Sequence, residues 1–277
     1  MYAISIVVVL YKKHYSESLS LSTILSKLES IHLAGFRPNI YVWNNSPQFS
    51  PPLEHSLVEW IEGENDTLSY IYNKVAALSF STGADVLMIS DDDTDYKNYD
   101  FISNLSVLSE YLSSKSKARE VGCFIPLIYS DSRLVSPGGR FFFKGYLLRN
   151  CSTGLVRSRN LLAINSGMLV TRACYEKMQP FYDGRLRFYG TDTDFFVRYQ
   201  KAFKHVYVLN SRIDHSLSSD TEESLERALF RWRDNLYALR LIFEDRILLF
   251  RAAMTVYHFS LKLKLAIKFR DSRFIWL

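Results

Sequence analysis

The chain opens on a continuous β-branched run, "ISIVVVLY" (Ile4–Tyr11), the pattern of a strand buried on both faces. "SLSLSTILSKLESIHLAGF" follows with helical spacing and stops at Gly35. "NIYVW" (Asn39–Trp43) predicts a second strand, ended by "NNSP". "DTLSYIYNKVAALSFSTG" predicts a helix that Asp66 can cap and Gly83 can end. "DVLMIS" (Asp85–Ser90) is a third buried strand, "FISNLSVLSEYL" a helix and "VGCFIPLIY" a further strand. Strands alternating with helices over the first ~130 residues predict an α/β fold with a parallel, doubly wound sheet. Ligands bind at the carboxyl ends of strands in such sheets. Tyr11, Asn44, Asn45 and the acids from Asp91 to Asp93 all fall at predicted strand ends.

The pattern changes in the second half. "SPGGRFFFKGYLLRN" predicts a turn and an aromatic strand, and "LLAINSGMLVTR" a strand interrupted at Asn165-Ser166-Gly167. "DTDFFVRYQKAF" reads as a helix with Asp192 and Asp194 in its first turn, and "HVYVLN" as a short strand before a polar loop holding His215. From Glu222 the pattern is mostly helical. "LKLKLAIKF" alternates with period two and leaves its own structure open.

Composition is ordinary for a folded protein, with 48% hydrophobic and 23% charged residues, but aromatics reach 15%. Such a surplus suits carbohydrate or membrane-interface contact and equally an aromatic core. Three widely spaced cysteines form no CxxC pair, which argues against a zinc site or disulfide framework and for a reducing cytoplasm. The N-terminal apolar run precedes its charges, the reverse of a signal peptide. No uninterrupted apolar run approaches the ~18–20 residues that span a bilayer. The net charge is +5, yet residues 246–277 hold seven Lys/Arg against one acid, Asp271. This basic character sits among Leu, Phe, Tyr and Trp, so an anionic membrane surface is expected as partner rather than nucleic acid. A solvated helix face is the plainer account.

The densest chemistry lies in "VLMISDDDTD", where Asp91, Asp92, Asp93 and Asp95 fall within a few residues. An EF-hand loop would need Gly where Tyr96 stands and Glu where Ile102 stands. A phosphoaspartate phosphatase would place its DxD after the first strand and would not carry Asp95 at its following position. Two readings remain: an acidic surface turn, or a divalent-cation site for a nucleotide diphosphate. Alternate residues of an extended segment share a side, so Asp91 and Asp93 can converge on one cation while Asp92 points away.

Taken with the rest of the chain, this segment resembles the family 2 glycosyltransferases of the GT-A fold, particularly those that build bacterial O-antigen or capsule chains. The matching pieces are "ISIVVVLYKK", "VWNNSP", "ENDTLSYIYNKVAAL", "SDDDT", "INSGMLVTR", "YGTDTDFFVRYQK" and "DHSLS". They occur in the family's order over roughly residues 3–240. The resemblance implies a Rossmann-like, mostly parallel sheet in a catalytic domain over 1–220, with a nucleotide-sugar half (1–130) and an acceptor half (131–220). A helical, basic extension over 221–277 follows. It implies inverting transfer from a dTDP- or UDP-sugar to a glycan on polyprenyl diphosphate, with Mn²⁺ or Mg²⁺, at the inner face of the cytoplasmic membrane beside other assembly transferases. Asp192 takes the place of the general base, with Thr191 where Glu is usual. Asp91, Asp93 and His215 take the metal-ligand places. Tyr11, Asn44, Asn45, Asn65, Asn73, Asp91, Asp92 and Arg231 are the donor-contacting candidates, although the asparagines also suit turns and caps. Arg233 and Asn235 share the "RWRDNLY" segment with Arg231. A catalytically silent glycan-binding or scaffolding module is the rival reading. A nucleotidyltransferase is disfavoured by the lack of glycine in "VVVLYKKHYSES".

Overall fold

A computed structural model describes residues 1–114, 116, 120–214 and 224–277. The alternation read from the first half produces β1 (Tyr2–Leu10), β2 (Phe36–Asn44), β3 (Val58–Glu62), β4 (Val86–Asp91) and β5 (Val121–Ser130). Helices α1 (Leu19–Leu25), α2 (Leu28–Leu33), α3 (Leu68–Ser81) and α4 (Phe101–Ser113) lie between them. The second half supplies β6 (Arg133–Ser136), β7 (Gly138–Phe141), β8 (Lys144–Leu147), β9 (Gly154–Arg157), β10 (Leu161–Leu162) and β11 (Met168–Thr171). It continues with α5 (Arg172–Lys177), α6 (Thr191–Ala202), β12 (His205–Asp214), α7 (Leu225–Ile242) and α8 (Leu248–Phe269).

The main sheet runs β3-β2-β1-β4-β11-β5-β12-β9, with β6 on β5. β1 pairs parallel with β2 and β4, β2 with β3, and β5 with β12. β11 enters antiparallel between β4 and β5. This is the mostly parallel α/β sheet, flanked by helices, expected of a GT-A (Rossmann-like) fold. The alternation of β1 splits its side chains between two cores. Val7 and Val9 join Ile71, Phe181, Phe195 and Tyr199 on one face. Ile4, Ile6 and Val8 join Leu21, Ile31, Phe101 and Leu105 on the other.

Three local outcomes differ from the sequence expectation. The helix predicted over residues 18–35 breaks into α1 and α2 at Ser26-Lys27. Ser22 and Thr23 donate side-chain hydrogen bonds to Leu19 O, and Ser26 to Thr23 O, so hydroxyls compete with the helical ladder there. The cap of α3 is Thr67, whose hydroxyl accepts from Tyr70 N, and not Asp66. The aromatic strand is a hairpin, β7–β8, which with β10 forms a second small sheet. The period-two segment "LKLKLAIKF" is helical, inside α8.

One side chain joins α6 to the sheet. The register of β5 and β12 slips between Val121↔His205 and Phe124↔Tyr207, leaving Gly122 and Cys123 opposite a single step of β12. The phenol oxygen of buried Tyr199 accepts from both freed amides, Gly122 N at 2.9 Å and Cys123 N at 3.1 Å, and its hydroxyl donates to His205 O at 2.7 Å. Tyr199→Phe keeps the ring and strands two buried amides and a carbonyl. We expect a loss of about 3 kcal/mol. It should read in urea unfolding as a lower midpoint with an unchanged slope.

Candidate functional site

The carboxyl ends of β1, β2 and β4 meet at one edge of the sheet. Asn45 N donates to Leu10 O at 2.8 Å, which joins the first two loops. A cavity of about 680 Å³ opens there, lined by Tyr11, Asn45, Asn65, Asp91, Asp92 and Asp93 and also by Phe188, Tyr189 and Phe230. Most of the residues expected to contact a donor are thus brought together. Tyr11 is half-exposed on this wall, and Asn65 holds a left-handed backbone (φ 62°), a conformation asparagine tolerates in turns. Asn45 braces the wall: its amide donates to Asp66 O at 2.9 Å and accepts from Asp66 N at 2.7 Å.

Two candidates have other work. Asn44 is buried and spends its amide on its own turn, donating to Ser50 O and accepting from Ser46 N. Asn73 clamps the backbone of Tyr182, donating to its carbonyl at 2.9 Å and accepting from its amide at 2.8 Å. Neither lines the cavity: each carboxamide is turned to a backbone partner away from it. Arg231 also lies off the cavity wall. Its guanidinium stacks over Trp232, and the neighbouring Phe230 is the α7 residue that reaches the cavity. His215 falls outside the described residues.

The acidic run is organised by where the strand stops. β4 ends at Asp91, so Asp92 and Asp93 lie in the turn that follows and all three reach the cavity. Asp92 therefore does not point away, as strict alternation predicts. It pairs with Lys13 at 2.7 Å, and its peptide carbonyl accepts from Ser18 Oγ and Ser20 N. Burial raises the Asp92 carboxyl above the usual range even with Lys13 beside it. Asp91 accepts from Ser166 Oγ and hydrogen-bonds the Tyr72 phenol. Asp95 accepts from Lys97 N at 2.8 Å and shapes the turn only. Among the described residues no cluster of three or more His, Cys, Asp or Glu could hold a metal ion.

Asp192 sits in the first turn of α6, half-buried, accepting from its neighbour Thr193 N at 2.6 Å. Burial raises its carboxyl above the usual range. It borders two smaller cavities, of about 220 and 370 Å³. Tyr189 is common to the larger of these and to the strand-end cavity. The buried Tyr72 phenol feels both Asp91 and Asp192, and together with burial their charges drive its pKa far up. Asp194, the other first-turn acid, is committed to Arg198 at 2.8 Å, and Arg198 also donates to Pro180 O and Phe181 O. It is a structural strut.

Two contacts that place this site were not singled out in the sequence. Asp234 of α7 is buried and accepts from Phe188 N at 3.2 Å and Tyr189 N at 2.9 Å, holding the loop that walls the cavity. Gly190 (φ 79°) lets α7 approach: a Cβ there would come within 2.6 Å of Ala238 Cβ. Little in the sequence marks Asp234, since Arg227 and Arg231 stand seven and three residues before it on the same side of the helix. The region beyond residue 220, expected as an extension, thus contributes directly to the site.

No family model matches the chain, and no curated protein matches it. Among solved structures it is similar to the crystal structure of A197 from STIV, at 14% identity and a TM-score of 0.48, covering 82% of this chain and 92% of that one.

The raised carboxyl of Asp192 has a sign for stability. Its folded pKa exceeds its unfolded one, so the folded state is favoured most below the unfolded pKa and loses that advantage as pH rises through the folded pKa. Asp192→Asn keeps an acceptor for Thr193 N and cannot ionise. Thermal melts should show the variant more stable than wild type at about pH 7, with the gap closing towards about pH 4.

Proposed function

We propose that the protein is an inverting glycosyltransferase that moves a sugar from a dTDP- or UDP-sugar to a hydroxyl of a growing bacterial surface polysaccharide carried on polyprenyl diphosphate. One observation carries the reading. An aromatic ring after β1, a left-handed asparagine after β3 and three aspartates at the end of β4 wall one cavity, and Asp192 lines the neighbouring cavity that shares Tyr189 with it. The volume, about 680 Å³, is in the range of small-molecule and cofactor sites.

In this reading Tyr11 borders the nucleobase, Asn65 offers its amide to the donor, and Asn45 keeps the wall in place. Asp91 and Asp93 supply hard oxygen donors on one cavity wall, which fits Mg²⁺ or Mn²⁺ held by one or two carboxylates and the donor's phosphates. Such an ion would stabilise charge on the departing diphosphate. Asp192 removes the acceptor hydroxyl's proton as the new C–O bond forms at the anomeric carbon. The bond to the diphosphate breaks on the opposite face. Its raised pKa makes it a stronger base than an exposed aspartate, at the price of a narrower working range on the acid side. Asp234 positions Phe188 and Tyr189 between donor and acceptor cavities and touches neither reacting group.

A thermal-shift screen of dTDP- and UDP-sugars, with and without Mn²⁺, should reveal stabilisation by the true donor. With that donor, Asp192→Asn should retain the shift and lose at least about 100-fold in transfer rate. The wild-type rate should rise with pH along a limb lying above the ordinary carboxylate range. Full activity of Asp192→Asn would remove the assigned base.

A further inference from the structure

Helix α8 is apolar on two opposite faces. Its inner face, with Met254 and Leu265 buried, packs on α7 through Leu229, Trp232, Leu239 and Ile242. On the far side, Leu249, Ala252, Val256, Phe259, Leu263 and Ile267 recur at intervals of three and four residues, which aligns them along one stripe. These positions are exposed, Val256 by 67% and Ile267 by 78%. The outer face of a helix packed on a water-exposed domain is ordinarily polar.

A second element adds exposed apolar side chains near the start of α8. Phe142 stacks near Phe250 at 5.7 Å, and Phe143 contacts Phe250 and Tyr257 at 5.6 and 5.1 Å, which fixes the β7–β8 turn against the start of α8. Phe141, Phe142, Leu248 and Leu249 stay exposed on the two anchored elements, Phe141 by 68% and Leu248 by 80%. Two elements far apart in sequence thus leave apolar side chains exposed where they meet, and exposed apolar surface of this kind marks an interaction site.

Charge selects the partner. From Arg246 to Arg270 the chain carries six cations and no acid. Burying this face against a second copy would set those cations against their own kind. Anionic lipid headgroups complement them, and the apolar stripe matches the acyl boundary. Among the described residues no helix is long and apolar enough to cross a membrane, and the inner face of α8 is already occupied by α7. We propose that the outer stripe of α8 and the β7–β8 tip together embed in the interfacial layer of an anionic bilayer, with α8 lying in its plane. Phe143, Lys144 and Tyr257 at the root of this edge also line the 370 Å³ cavity bordered by Asp192. Resting on the transferase reading above, this orientation delivers a lipid-borne acceptor to Asp192 along the membrane surface.

Flotation of the whole protein with vesicles tests the surface without any donor, so its outcome is separate from that of the transferase reading. The protein should float with phosphatidylcholine vesicles containing phosphatidylglycerol, and poorly with phosphatidylcholine alone or in high salt. Val256→Asp with Phe259→Asp, and separately Phe141→Ser with Phe142→Ser, should each weaken partitioning at least about tenfold. Phe142→Ser also removes a ring contact to Phe250, so Phe141→Ser with Leu248→Ser, which keeps the anchor, is the control pair, and its circular dichroism melts and those of Val256→Asp with Phe259→Asp should match wild type. Wild type remaining unbound to phosphatidylglycerol vesicles would overturn the proposal. So would folded variants that float as well as wild type, or light scattering that shows a dimer dissolved by the same substitutions.

Discussion

Parallel pairing of β1 with both β2 and β4 sets the level at which everything else is built. Leu10 lies opposite Asn44, and Val9 opposite Asp91, so three strands end within one residue of a common line. A parallel sheet must cross over after each strand, and the crossovers here leave from the same edge. Tyr11, Asn45 and the Asp91 turn therefore gather without any contact among themselves having to create the gathering. The same pairing explains the local acid density. Three carboxylates at a strand end stand at the rim of the sheet and all line the cavity, with Asp91 bonded to Ser166 and Asp92 paired with Lys13.

Much of this frame was legible because it is written in periodicity. A continuous β-branched run gave β1, a short apolar run gave β4, and helical spacing gave α3, α4 and α6. Strand ends then named Tyr11, Asn45 and the three aspartates. β3 escaped notice because "VEWIE" is an edge strand, with its glutamates turned to solvent and little apolar signal. The split between α1 and α2 escaped because serine and threonine hydroxyls redirect the backbone at a scale that apolar periodicity does not register. Asn44 and Asn73 illustrate a different limit. An asparagine beside a predicted site reads the same whether its amide faces a ligand or a peptide, and only the fold shows that Ser50 and Tyr182 have claimed these two.

The helices after residue 224 change the meaning of a domain boundary in this protein. Asp234 reaches back more than forty residues to two peptide amides, and Gly190 yields the space that lets α7 come so close. A buried carboxylate with two amide donors is a strong local restraint. Truncating the chain before α7 would leave the main sheet paired and remove the restraint on the wall shared by both cavities. The boundary at residue 220 follows from the resemblance and the helical pattern after it, and neither reports which side of a boundary holds a site together.

Tyr199 stands two helical turns beyond Asp192 on the same helix. Its phenol fills the gap left where β5 and β12 fall out of step. The irregularity in the sheet is thus also a mooring, and the helix carrying Asp192 is tied to it. Regularising that pairing by deletion would free the mooring as well as mend the ladder. A defect in one element is here the coordinate reference for another, and redesign of the sheet and relocation of the acid cannot be pursued as independent problems.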